Sequence, residues 1–350
     1  MHYALGIVTP ASPALTSREL VHQLKDASAK AIVCHASVLA QAVEAAKEAG
    51  LPLDRIFVFG KKRIGNHLSW RDILTSREAA APGDRIDPKQ DLAFLSYSSG
   101  TTGMPKGVML THNNIIANVY QAQAIDFSHL FWDRDVVLGL LPFYHIYGLT
   151  ILVTLCIFNG LTVIVHEKFD MEKLLKSIQK HKITMLYTAP PVILKLAKDK
   201  IVDDYDVSSV RMIVSGAAPL TNELQIEARK RLNVPVKQAY GMSELSPIAT
   251  MGDWETAMTL NGSAGLLIPN MIAKFVDEDY KTITPGKTGE LCLKGPNVMK
   301  GYLNNVKATK ETIMSDGFLR TGDVGHVDKD GNFFITDRAK ELIKTSGFQV

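Results

Sequence analysis

Between Ser96 and Gly107 the sequence runs Ser-Tyr-Ser-Ser-Gly-Thr-Thr-Gly-Met-Pro-Lys-Gly, directly after a hydrophobic stretch. It concentrates the groups that hold an anion. Hydroxyls at Ser98, Ser99, Thr101 and Thr102 add hydrogen-bond donors, and Lys106 adds a full positive charge. Gly100, Gly103 and Gly107 let the backbone bend so that successive N–H groups point at one place. The combination reads as a polyphosphate cradle. It differs from the Walker loop, in which Gly-Lys-Ser/Thr opens a helix: here Pro105 precedes the lysine and Gly107 follows it.

The elements around the loop alternate. A helix is expected over 18–27 after the start signal Thr16-Ser17, a short strand over 31–34, a helix over 38–49 ended by Gly50, and a strand over 56–59. Such alternation implies a parallel sheet. Residues 60–88 have weak periodicity and read as a linker between sheet halves. A strand over 92–97 feeds the loop, and a helix over 113–124 and strands over 183–187, 210–214 and 236–239 come after it, the last preceded by a helix over 222–232. From Gly262 onward, short strands over 271–276, 289–293 and 333–335 are broken by Gly, Pro and Asp. The expected fold is α/β, with two parallel-sheet αβ subdomains, residues 1–90 and 91–260, followed by a small β-rich subdomain, residues 261–336.

Composition narrows the function classes. At 350 residues roughly three quarters of the unfolded surface can be buried, enough for a large core and a cleft. With 46% apolar and 21% charged residues the chain is neither disordered nor fibrous. Thirty-nine basic against 36 acidic residues leave a net charge of +3, without a long basic run, so nucleic acid is not an expected partner. Cys34, Cys156 and Cys292 stand far apart in apolar settings and read as buried thiols in a reducing compartment. The apolar run from Leu149 to Val165 is interrupted by Thr150, Thr154, Asn159 and Gly160, and is expected to be a core helix followed by a strand rather than a membrane segment. The first residues carry no charged leader before an apolar stretch, and no secretory signal is expected.

The loop, with Leu141-Pro-Phe-Tyr-His-Ile-Tyr-Gly148, Ser215-Gly-Ala-Ala-Pro219, Gln238-Ala-Tyr-Gly-Met-Ser-Glu244, Gly289-Glu-Leu291, Arg320-Thr-Gly-Asp323 and Asp337-Arg-Ala-Lys-Glu-Leu-Ile-Lys344, resembles the motif series of the adenylate-forming (AMP-binding) superfamily, in that order. The forms around His145 and Ala217 look most like 4-coumarate:CoA ligase and its acyl-CoA ligase relatives. The resemblance implies that Ser98, Ser99, Gly100, Thr101, Thr102 and Lys106 contact the ATP phosphates, and that Glu244 is a Mg²⁺ ligand, consistent with the preference of that ion for carboxylate and phosphate oxygens. Ser243 stands where the family usually has threonine. It further implies nucleotide contacts at Gln238, Ala239 and Tyr240, a bidentate hold on the ribose hydroxyls by Asp323, and contacts of Arg338, Lys344 and Gln349 near the ribose, phosphate or adenylate. Lys340 matches a hinge about which a small lid domain rotates. His145 resembles the residue that lines and gates the acyl pocket beside the reaction centre, a role favoured here over proton transfer. Tyr147, Ala217, Gly241, Met242, Pro247, Ile248 and Met251 resemble other pocket positions, although such side chains equally suit a plain core. Lys168 resembles a CoA-phosphate contact, and equally a surface lysine.

The family's chain is longer at both ends. Residues 337–350 are therefore expected to be the hinge and the start of a lid domain that is otherwise absent, together with its late lysine. The implied activity is ATP-dependent acid:CoA ligation, with ATP, Mg²⁺ and coenzyme A, on an aromatic (4-coumarate-like) or medium-chain fatty acid. The alternatives are an adenylating enzyme with another acceptor, luciferase-like or carrier-loading, and a non-catalytic nucleotide or acyl-adenylate binder. A cytoplasmic location is expected from the lack of a signal peptide; a peroxisomal address would sit at a C-terminus not visible here.

Overall fold

The computed structural model describes residues 6–74, 86–98, 104–126, 128–338, 344–345 and 348–349, and these fall into two compact units. The first comprises residues 1–112 with 300–306, the second residues 113–299 with 307–350.

In the first unit Thr16 starts the helix Ser17–Asp26 through a capping box: its hydroxyl accepts from the Glu19 N–H, and the Glu19 carboxylate accepts from the Thr16 N–H at 2.7 Å. Val21 and Leu24 of this helix pack on Ala45 of the helix Leu39–Ala49. The strands Ile32–Cys34 and Ile56–Val58 pair in parallel on either side of that second helix in sequence, as the alternation requires. Gly50 closes the helix in the left-handed conformation at φ 74°. The strand entering the glycine-rich loop departs from the expected parallel pattern. Leu92–Ser98 pairs antiparallel with Lys106–Thr111, and Gly301–Tyr302 adds a third strand. The loop therefore joins the arms of a hairpin; the strand after Pro105 is six residues long and begins Lys-Gly, which hid it from the periodicity.

In the second unit an eleven-stranded sheet is formed among the described residues. From one edge, Thr162–Val165, Val136–Gly139, Met185–Thr188, Met212–Ser215 and Val236–Gly241 run parallel. The helices Met171–His181, Pro190–Lys198 and Asn222–Leu232 cover one face, burying Leu174, Ile178, Ile193 and Leu196 against Leu138, Leu186, Ile213 and Val236. From Ile248–Met251 the sheet turns antiparallel and continues through Gly265–Leu267, Asn332–Arg338, Leu319–Val327, Gly289–Lys294 and Ile272–Val276. The short strands after Gly262 are thus hydrogen-bonded into the same sheet as the parallel ones. The apolar run after Leu149 becomes the π-helical turn Gly148–Leu155, the helix Cys156–Phe158 and the edge strand. Among the described residues no helix is long and apolar enough to cross a membrane, and all three cysteines are free and buried.

Candidate active site

The first unit contains the hairpin. Ser98 and Lys106 face each other across its open end, and the Lys106 ammonium lies 4.5 Å from the centroid of the Tyr302 ring, a cation–π contact that restrains a flexible side chain. The helix Ser17–Asp26 braces both shoulders of the loop. His22 Nε2 donates to the Pro105 carbonyl at 3.0 Å, and Tyr97 donates its phenolic hydrogen to Asp26 Oδ2 at 2.7 Å. Asn304 Nδ2 donates to the Asp26 carbonyl and carboxylate, both at 3.2 Å. Burial, and then the Asp26 carboxylate, hold the Tyr97 phenol well above the usual tyrosine range. Ser99, Gly100, Thr101 and Thr102 of the expected cradle lie outside the described residues, as does Lys340.

The second unit contains the strand Val236–Gly241 and the turn after it. Lys237, fully buried, pairs with the buried Asp126 beneath the strand. The side chain of Gln238 braces a loop: its Oε1 accepts from the Leu220 N–H and its Nε2 donates to the Leu220 carbonyl and to Gln225 Oε1, each at 3.2 Å. Ala239 is half-buried and pairs with Met251, which is itself buried in the sheet. Tyr240 donates to Asp323 Oδ2 at 2.7 Å, so the structure brings these two expected nucleotide contacts together. Asp323 is buried in the strand Leu319–Val327, and its N–H donates to Thr321 Oγ1 at 3.0 Å. Arg338 pairs through its backbone with Asp323, and Lys344 with Gln349; the side chains of these three basic and amide residues lie outside what the structure describes.

After Gly241 the chain folds back tightly. A Cβ at Gly241 would collide with the Pro247 carbonyl, which accepts from the Met242 N–H at 3.0 Å. The turn Ser243–Leu245 then presents Glu244, buried at 5% exposure, while Ser243 is half-buried. Among the described residues no three His, Cys, Asp or Glu side chains are grouped to hold a metal ion alone. A single buried carboxylate fits Mg²⁺, which takes its remaining ligands from phosphate and water.

The expected pocket residues divide. Tyr147 is buried, its ring against Gly216, where a Cβ would approach within 2.8 Å; its hydroxyl lies 3.5 Å from the Val214 carbonyl, and burial pushes its phenol up. Ala217 is exposed at φ 69°, a conformation that favours glycine. His145 is exposed rather than packed in a core, and its Nδ1 accepts from the Tyr147 N–H at 3.2 Å. Lys168 is exposed just beyond the edge strand Thr162–Val165, four strands from Tyr240, so the structure does not bring it to that group.

A family model described as AMP-binding enzyme matches residues 2–303. The chain belongs to that family. As an AMP-binding enzyme it is 41% identical, over 99% of its own length, to a probable 4-coumarate--CoA ligase of Dictyostelium discoideum, of which it covers 65%. Its fold superposes on ATP-bound MatB from Rhodopseudomonas palustris with a TM-score of 0.82 at 30% identity, covering 99% of this chain and 66% of that one. It also matches a long-chain-fatty-acid-CoA ligase from Archaeoglobus fulgidus, with a TM-score of 0.81 at 28% identity, covering 94% and 67%. The chain thus spans about two thirds of the length of these relatives.

Residues that sequence reasoning missed in this AMP-binding enzyme are those that hold the site. Thr321 orients Asp323, Lys237 and Asp126 underlie the Tyr240 strand, and Asn118 and Asn297 hold the turn after Glu244. Among these Lys237 left a signal, a lysine directly after the apolar Val234-Pro235-Val236.

Proposed function

We propose that this chain is the ATP- and acid-binding part of an AMP-forming carboxylic acid:CoA ligase with an aromatic, 4-coumarate-like acid as substrate. The observation that carries the reading is the 41% identity to a probable 4-coumarate--CoA ligase over 99% of the chain. The ATP-bound relative supports the nucleotide. A medium-chain fatty acid is the second substrate class; the superposition on a long-chain-fatty-acid-CoA ligase supports fatty acids only in general.

In the first half-reaction an acid carboxylate oxygen attacks the α-phosphorus of ATP, forming the acyl-adenylate and releasing pyrophosphate. In the second the CoA sulfur attacks the acyl carbon, its proton leaves to solvent, and AMP departs with the anhydride electrons. The residues supply position and charge. The hairpin loop with Lys106 binds the triphosphate through hydrogen-bond donors and positive charge. Tyr240 and Asp323 hold the ribose end, and Tyr147 and Gly216 shape the acyl pocket, with exposed His145 as its gate. Glu244 would hold Mg²⁺, which would supply neutralisation of the triphosphate charge.

The test is product analysis. The chain is incubated with Mg-ATP, free CoA and acids from cinnamic and benzoic to octanoic and longer, and the products are identified by mass. Acyl-adenylate or acyl-CoA plus AMP from an aromatic acid supports the reading, products from fatty acids alone move the substrate class, and bound ATP without any product supports a binding role only.

A further inference from the structure

The six residues from Ser243 to Ile248 leave the parallel part of the sheet and re-enter it antiparallel, so their backbone groups lack ladder partners over most of the turn. Two buried amides from distant parts of the sequence take them up. Asn297 Nδ2 donates to the Leu245 carbonyl at 2.7 Å and to the Ile248 carbonyl at 3.0 Å. Asn118 Nδ2 donates to that same Ile248 carbonyl at 2.8 Å, while its Oδ1 accepts from the Ile248 N–H at 3.1 Å. Ser246 Oγ donates to the Asn297 carbonyl at 2.8 Å, and the Met299 N–H donates to the Glu244 carbonyl at 2.9 Å. Gln121 Nε2 reaches Asn297 Oδ1 at 3.4 Å. Asn118, Asn297 and Ser246 are all 0% exposed.

We infer that Asn297 and Asn118 are positioning residues that fix the backbone following Glu244, at Leu245 and Ile248, and thereby aim its carboxylate. The inference rests on the proposed role of Glu244 toward Mg-ATP and adds the residues that set it. Neither amide is bonded to the carboxylate in these contacts, so any effect of either on metal-dependent binding travels through the turn. Asparagine suits the task. Its short side chain has few rotamers, and both ends of the amide are engaged, so the turn has one low-energy arrangement where an apolar pair would leave buried carbonyls unsatisfied.

The experiment is a Mg²⁺ titration of ATP binding by calorimetry on the whole chain, with melting temperatures in parallel, for Asn297→Ala, Ser246→Ala, Glu244→Ala and Thr250→Val. The last removes another buried hydrogen bond, from Thr250 Oγ1 to the Ala264 carbonyl at 2.8 Å, and serves as the stability-matched control. The half-saturating Mg²⁺ concentration should rise about tenfold in Asn297→Ala and about threefold in Ser246→Ala, the loss of one or two hydrogen bonds. ATP binding without Mg²⁺ should be unchanged, and Thr250→Val should behave as wild type. Equal Mg²⁺ dependence in Asn297→Ala, Ser246→Ala and Thr250→Val, with Glu244→Ala still defective, overturns this inference and leaves the role of Glu244 standing. A wild-type chain whose ATP binding ignores Mg²⁺ overturns both. If Asn297→Ala does not fold, Ser246→Ala decides by the same criterion.

Discussion

The hairpin of the first unit and the Glu244 turn of the second hold their candidate ligand groups by different means. At the hairpin, half-buried contacts brace the loop's shoulders: a histidine on the Pro105 carbonyl, a phenol on Asp26, a ring under Lys106. At the turn, buried amides engage the backbone itself, and the preceding strand rests on a buried ion pair. Contacts of the first kind contribute about 1 kcal/mol each and yield to a ligand; removing a partner from the second kind leaves a buried charge or carbonyl unpaired. The proposed roles, a loop around a flexible triphosphate and a carboxylate aimed at a metal, call for these two solutions.

The largest effect that would sharpen this contrast is on stability. Lys237→Ala leaves the Asp126 carboxylate buried and unpaired, and should lower unfolding stability by about 3–5 kcal/mol, measured by denaturant titration. A loss under ~1 kcal/mol would show that the strand does not depend on the pair. Next, Lys106→Ala should weaken ATP binding on the order of 100-fold with little change in melting temperature, because the lysine is the proposed triphosphate ligand and rests on a ring rather than acting as a strut. A large fall in stability with unchanged ATP affinity would reverse the contrast. Tyr240→Phe keeps the ring and removes one hydrogen bond to Asp323, so ATP affinity should fall about three- to tenfold while 2′,3′-dideoxy-ATP affinity stays constant.

The smallest effect is on pH. The folded state raises the Tyr97 phenol above its unfolded range, so its contribution is fully present below about pH 10 and is lost as pH climbs further and the unfolded phenol ionises first. Tyr97→Phe should flatten that alkaline decline in melting temperature. An unchanged decline would remove Tyr97 from the brace.

The same division separates the parts of the molecule that were legible in the sequence from those that were not. The hairpin loop was legible because its chemistry is local: four hydroxyls, three glycines and a lysine in one run. The alternation showed the α/β class, and the buried state of Cys34, Cys156 and Cys292 was evident from their apolar neighbours. The antiparallel return through Lys106–Thr111 was not legible, since a six-residue strand opening on Lys-Gly has too little periodicity. The support of the Glu244 turn was hidden for another reason. Asn118 and Asn297 bond Ile248 across 130 and 49 residues, and an isolated asparagine looks the same in a surface loop as in a buried network. The brace made by the Gln238 amide to Leu220 and Gln225 was not legible either, since its place in a ligand motif says nothing of partners 18 and 13 residues away.

The decisive trial of the proposed adenylation is acid-dependent exchange of pyrophosphate into ATP, run with Mg²⁺ on this chain beside Lys106→Ala and Glu244→Ala. The expected result is exchange with an aromatic acid that both substitutions abolish. Retained Mg-ATP binding with no exchange for any acid, or exchange that survives both substitutions, would contradict the assignment.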